Sequence, residues 1–94
     1  MPLQVVVVVS RPSEGIALAM VRWYGKDCGM VTFAKRKARN VNICAATGLS
    51  IKRGDQCYAP ITNRAFRGMR VRASWMEWQP IPWANARATF AVKP

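Results

Sequence analysis

The first apolar stretch, Leu3 to Val9, is dominated by consecutive valines and closes on Ser10-Arg11-Pro12-Ser13. This pattern predicts a strand buried on both faces and stopped by turn residues. Arg11 and Pro12 would guard it against edge-to-edge pairing, as a charge and a residue without a donor. From Ile16 to Tyr24, Leu18, Met20, Arg22 and Tyr24 alternate with Ala17, Ala19, Val21 and Trp23. The period of two predicts a second strand, although the alanine-rich start would also tolerate a helix. Gly25-Lys26-Asp27-Cys28-Gly29 has the composition of a hairpin loop, and Met30 to Ala34 reads as the returning strand.

The next segment, Lys35-Arg36-Lys37-Ala38-Arg39 before Asn40, is expected to leave the sheet as a solvated basic connection. Val41 to Cys44 is a short strand candidate. Turns at Cys44–Gly48 and Lys52–Asp55 then bracket Leu49-Ser50-Ile51, and Gln56 to Ala59 is extended up to Pro60. Thr62 or Asn63 can cap a short helix through Arg64, Ala65, Phe66 and Arg67 that ends at Gly68. Met69, Val71, Ala73 and Trp75 alternate with Arg70, Arg72 and Ser74, which predicts a strand with one apolar and one basic face. Gln79-Pro80-Ile81-Pro82 turns the chain, and Ala88 to Val92 is a candidate last strand. The expected architecture is one α+β, β-rich domain over residues 1–94: a twisted antiparallel sheet of five or six short strands, with one short helix after Pro60.

Length and composition narrow the class. With 94 residues, 51% hydrophobic and 20% charged, the chain suits one compact module, and both wholesale disorder and a collagen-like fibre are excluded. No apolar run approaches the ~20 residues of a membrane-spanning helix, and no basic segment precedes Val5 to Val9 as in a secretory signal. No membrane partner is therefore expected. Cys28, Cys44 and Cys57 are an odd number, so they cannot all pair within one chain, and the simplest compartment is a reducing cytoplasm. A single Cys44 to Cys57 bridge stays open on spacing alone.

Charge changes the picture most. Fifteen Lys and Arg stand against four Asp and Glu, giving +11, with no histidine. Small soluble domains are well served by a net charge magnitude of about 2 to 8, so an anionic partner is expected. The cations concentrate between Lys35 and Arg72: Lys35, Arg36, Lys37 and Arg39, then Lys52 and Arg53, then Arg64, Arg67, Arg70 and Arg72, with Asp55 the only acid between them. Brought to one side, they would form a track for a phosphate backbone, with Arg64, Arg67, Arg70 and Arg72 at its centre and the Lys35–Arg39 group as a flexible flank. Arginine outnumbers lysine, and its planar fork suits phosphate oxygens and base edges better than an ammonium. Trp78 and Trp83, each beside a proline-containing turn, are the best candidates for an exposed stacking or interface surface, although aromatic residues in so small a module more often build the core.

Cys44-Ala45-Ala46-Thr47-Gly48 through Cys57-Tyr58 resembles the zinc-knuckle hairpin of treble-clef and zinc-ribbon modules, in which C-x-x-C-G precedes a hydrophobic residue, a glycine-acid turn and an aromatic. The resemblance covers residues 44–58 only. It implies Cys44 as first knuckle ligand and Gly48 as knuckle glycine, and it departs from the pattern at Thr47, where the second thiolate should stand. Cys28 and Cys57 could add two further thiolates, still short of the four ligands of a closed structural zinc site. No metal and no cofactor is accordingly expected.

Three functions compete. The first is a non-enzymatic nucleic-acid-binding module, DNA or RNA, that contacts mainly the phosphate backbone. The second is a small inhibitor or adaptor of the phage or mobile-element type, docking its basic patch on an acidic surface of a host protein with tryptophans as hot spots. The third is an enzyme using Cys28 as nucleophile, which lacks any histidine to act as its base. Without histidine and with few acids, most acid-base and metallo-hydrolase constellations cannot be assembled.

Overall fold

The structure is a computed structural model and describes residues 3–81. Three long strands lead: β1 (Leu3–Ser13), β2 (Ile16–Trp23) and β3 (Lys26–Lys37). The β1–β2 connection is Glu14-Gly15 alone, since Ser13 pairs with Ile16. The β2–β3 connection is Tyr24-Gly25, with Trp23 paired to Lys26 and both turn residues left-handed, at φ 50 and φ 79. Two left-handed residues in succession give the turn whose twist matches a right-twisted ribbon. The expected loop over Gly25–Gly29 is therefore only two residues long. Lys26 to Gly29 belong to β3, and Gly29 (φ 91) absorbs the register shift between Met20 and Arg22 as a bulge.

β1 also departs from expectation. It is an edge strand with one inward face: Val5 and Val8 are buried, whereas Val6 is exposed. A run of valines is compatible with either face, and register shifts after Val5 and Val8 select which ones turn inward. Nor does Pro12 end the strand. It falls within the irregular register between Ser10 and Ser13 on the edge, where a missing N–H costs no ladder bond.

β6 (Gln56–Pro60) pairs antiparallel with the end of β3, and β7 (Val71–Arg72) with β6, so the five-stranded sheet runs β1-β2-β3-β6-β7. β4 (Asn42–Ile43) and β5 (Ser50–Ile51) form a separate small hairpin. Ala45 joins the two edges of the large sheet. Its N–H donates to the Arg70 carbonyl at 2.8 Å, and its carbonyl accepts from Val5 N–H at 3.0 Å. The sheet thus curls until one residue spans its gap, which leaves neither edge open at that level. Inside, small faces large: Ala17 pairs with Phe33 and Ala19 with Val31, and all four are essentially inaccessible. That alternation lets a narrow curled sheet hold an aromatic ring.

After Pro60, Asn63 accepts a hydrogen bond from Ala65 N–H at 3.1 Å and starts a single 3-10 turn, Arg64–Phe66. The strand expected over Met69–Trp75 survives only as Val71–Arg72, and Ala73–Trp78 is the helix α1. Arg72 pairs with Cys57, one residue after the start of β6, and the two strands are antiparallel, so beyond it the chain soon runs out of partner. A helix satisfies its own backbone there, and Ala73 and Met76, three apart, share its buried side.

α1 is held at one end of the curled sheet. Arg11 donates from Nη1 to the Met76 carbonyl at 2.9 Å, Lys35 Nζ lies 2.7 Å from Glu77 Oε2, and Tyr58 OH donates to the same oxygen at 3.0 Å. The hydrogen bond from Lys35 is the main reason the Glu77 carboxyl titrates below the usual range; burial opposes it and Tyr58 assists. A depressed carboxyl contributes stability above its unfolded value, about 4.3, and loses that contribution as pH falls through its folded value. Glu77→Gln should cost less than about 1 kcal/mol at pH 7 because the pair is partly exposed. The gap between wild-type and variant urea midpoints should close as pH falls through the depressed folded value of Glu77. At the other extreme, burial foremost and then Glu77 push the Tyr58 hydroxyl up to about 12, so stability falls as pH rises from about 10.

Candidate functional site

Lys35, Arg36 and Lys37 are strand residues, paired with Tyr58, Cys57 and Gln56. The solvated connection expected over Lys35–Arg39 is corrected accordingly: β6 provides a partner and makes this stretch a rigid part of the sheet. Alternation along β3 separates the neighbours. Lys35 turns to α1 and is neutralised by Glu77, whereas Arg36 points to the opposite face.

The chain then leaves the sheet at Ala38, a buried residue that organises the site. Its N–H donates to the Asp55 carbonyl and its carbonyl accepts from Gly54 N–H, each at 2.8 Å. These two bonds clamp the Lys52–Asp55 turn against the end of β3. The turn is tight: Gly54 sits at φ 92, and Asp55 Oδ2 accepts from Lys52 N–H at 2.9 Å. Arg53 is thereby brought beside residues more than a dozen positions earlier. Arg36, Lys37, Arg39 and Arg53 line one open groove of about 710 Å³, floored by Ala38 and Gly54. A smaller depression of about 170 Å³ adjoins it, where Arg36, Lys37 and Arg39 meet Asn40, Asn42 and Arg70. The Arg70 guanidinium is fixed by donating from Nη1 to the Arg67 and Met69 carbonyls, at 2.9 and 2.8 Å.

The other expected cations lie elsewhere. Arg72 donates from Nη1 to the Ser50 carbonyl at 3.1 Å and, with Lys35, borders a hollow under α1. Lys52 is exposed on the clamped turn without lining the groove, and Arg64 and Arg67 ride on the 3-10 turn outside both depressions. The expected centre and flank are thus exchanged: the end of β3 and the Arg53 turn converge, and Arg70 is the only member of the later group to join them. Among the described residues the ion pairs are Arg22 with Asp27 and Lys35 with Glu77. Arg36, Lys37, Arg39 and Arg53 have no acidic partner there.

Trp78 is 83% exposed at the end of α1, while Trp75 packs partly buried against the core. Trp83 and the candidate strand Ala88 to Val92 lie outside the described residues. A second exposed aromatic surface is the pair Trp23 and Tyr24, with ring centroids 5.9 Å apart, at the tip of the β2–β3 ribbon. The available signal was the pair of aromatics immediately before Gly25.

The cysteines are all free and are not gathered. Cys28 is exposed in the β3 bulge, its thiol 3.5 Å from the Lys26 carbonyl. Cys44 and Cys57 are buried on opposite sides of β7: Cys57 pairs with Arg72, whereas Cys44 bridges to Arg70. Two strand spacings of about 4.8 Å put their backbones beyond disulfide reach. Burial alone would raise the Cys44 thiol, but hydrogen bonds from the Arg72 N–H, the Thr47 side chain and the Ala46 and Thr47 backbone outweigh it and lower the net value. For Cys57 burial wins over the pull of Arg70 and Arg36 and pushes it up. The turn of the knuckle-like segment is well formed, with Gly48 at φ 79 and Gly48 N–H donating to the Cys44 carbonyl at 2.9 Å. Among the described residues no three Cys, Asp or Glu side chains come together as a metal-holding group.

No helix of the described residues is long and apolar enough to cross a membrane. No family model, curated protein or solved structure matches the chain.

Proposed function

We propose that this protein is a non-enzymatic nucleic-acid-binding module that grips the phosphate backbone with Arg36, Lys37, Arg39 and Arg53, joined by Arg70. The observation that carries the reading is the groove itself: three cations from the end of β3 and Arg53, remote from them in sequence, share one open wall, and none of the four is in an ion pair among the described residues. In such a chain the repulsion between like charges is uncompensated, and an incoming polyanion relieves it while releasing its own counterions. Their mounting favours the role. Arg36 and Lys37 stand on a paired strand, and Arg53 on a turn held by two backbone bonds, so little backbone has to be organised on binding. The proposed role needs no cofactor, and three free thiols suit a reducing compartment such as the cytoplasm.

The salt dependence of binding tests it. With five cations engaged, the slope of log K against log salt should be about −4.5 on duplex and about −3.5 on single strands. Duplex affinity, read by fluorescence anisotropy, then falls roughly 500-fold between 50 and 200 mM salt. A slope shallower than about −1, or no binding at 50 mM, would overturn the reading.

The exposed Trp23-Tyr24 pair favours a second reading, a small inhibitor or adaptor of the phage or mobile-element type that docks on an acidic host protein with these rings as anchors. A protein partner that persists through nuclease treatment, and is lost on Trp23→Ala, would support this second reading.

A further inference from the structure

The hollow under α1 sits against the same Lys52–Asp55 turn as the cation groove. Gly54 and Arg53 form one side of that turn and line the groove; Asp55 and the adjacent Gln56 line the hollow. The hollow holds about 380 Å³, and its lip is Trp78, 83% exposed. A tryptophan this bare gives up most of the burial that such a side chain can gain, about 150 to 250 Å². The hollow that Trp78 lines is also lined by residues of mixed hydrogen-bonding sense, Gln56 and Ser74 beside the charged Lys35, Asp55, Arg72 and Glu77. Phosphate needs donors only. An aromatic face bordered by both donors and acceptors suits the flat, two-sided chemistry of a nucleobase.

We infer that Trp78 is a stacking platform for an unpaired base, and that the protein prefers single-stranded over duplex nucleic acid. The inference rests on the phosphate-groove reading and adds strandedness to it. A strand whose phosphates lie along Arg36, Arg39 and Arg53 crosses the clamped turn and places a base against Trp78, with Gln56 and Ser74 at the base edge. In a duplex the bases are stacked and paired inside, so the ring has no face to meet. Stacking on an aromatic ring is tolerant of sequence, and Gln56 and Ser74 then bias the choice of base only modestly.

The test measures wild type, Trp78→Ala, Trp78→Phe and Arg36→Glu/Arg39→Glu with a fluorescent single-stranded oligothymidylate and a duplex of equal length at fixed salt. Wild type should bind the single strand more tightly. Trp78→Ala should weaken it about tenfold or more while leaving the duplex within about twofold, and Trp78→Phe should retain most of the affinity because a ring remains. Because Trp78 is exposed, its truncation leaves the core intact, and an unchanged thermal midpoint confirms this. Equal loss on both probes, or no loss on either, would overturn the stacking platform while the groove reading stands. If wild type binds neither probe, or Arg36→Glu/Arg39→Glu weakens neither, the groove reading falls and this inference with it. If Trp78→Ala abolishes capture of an acidic protein and leaves single-strand affinity unchanged, Trp78 is a protein anchor and the inference is overturned.

Discussion

Reversing Arg36 and Arg39 together to glutamate should lower affinity for either nucleic-acid form by about a hundredfold at 100 mM salt, and should reduce the magnitude of the salt slope by about 2. Each arginine gives up a charge-assisted contact of about 1.5 kcal/mol or more, and each new carboxylate adds repulsion toward the phosphates. The fold should be indifferent. Both side chains are exposed and, among the described residues, in no ion pair, so the thermal midpoint should stay level or rise slightly as net charge moves toward zero. Two contrasting variants give the measurement its meaning. Arg64→Glu/Arg67→Glu removes the same charge from the 3-10 turn outside the groove and should cost only the general electrostatic component, well under tenfold. Lys35→Glu should act mainly on stability, since it places a second carboxylate against Glu77. Equal losses in affinity from all three would mean that net charge, and no particular wall of the molecule, governs binding.

Phe33→Ala carries the largest expected stability effect, about 3 to 5 kcal/mol. Phe33 is wholly inaccessible, and the residue opposite it is Ala17, already too small to move into the space. The void would stay open. Against a total stability of about 5 to 15 kcal/mol, that loss leaves a marginal fold, and chemical denaturation should show it as a midpoint shift with little change in slope. Truncation at Val6, exposed on β1, should cost less than about 0.5 kcal/mol. A Phe33→Ala loss under about 1.5 kcal/mol would mean that the curled sheet repacks freely, contrary to a closed interior of small and large residues in register.

How far the chain is legible before it folds differs by element. The strand alternation over Ile16–Tyr24, the short hairpin over residues 42–51 and the Asn63 cap rest on local signals, periodicity and turn chemistry, and the structure keeps them. The segment after Arg70 illustrates the limit. Its alternation over Met69–Trp75 is a good strand pattern, yet Ala73 and Met76 also fall on one side of a helix, and both readings are locally sound. The start of β6 at Gln56 decides between them by leaving the later residues without a partner. Likewise, the span of β3 depends on whether anything lies beside Lys35–Lys37, which charge alone cannot say. The cationic wall was readable as a regional excess but its membership was not, because Arg53 arrives there through the backbone bonds of Ala38, a residue with no polar side chain to signal the role.

By itself, the sequence determined that this is a small β-rich α+β protein with a regional excess of arginine and lysine, too few acids to balance it and no histidine for acid-base chemistry. These are properties of composition and of nearest-neighbour pattern, and folding does not alter them. Only the tertiary structure decided that the sheet closes through Ala45, that Lys35 is spent on Glu77, and that Arg36, Lys37, Arg39 and Arg53 share a groove while Arg64 and Arg67 stand apart. The physical reason is that pairing and burial act between residues far apart in the chain. Which charge keeps its field and which is cancelled depends on what the fold sets next to it.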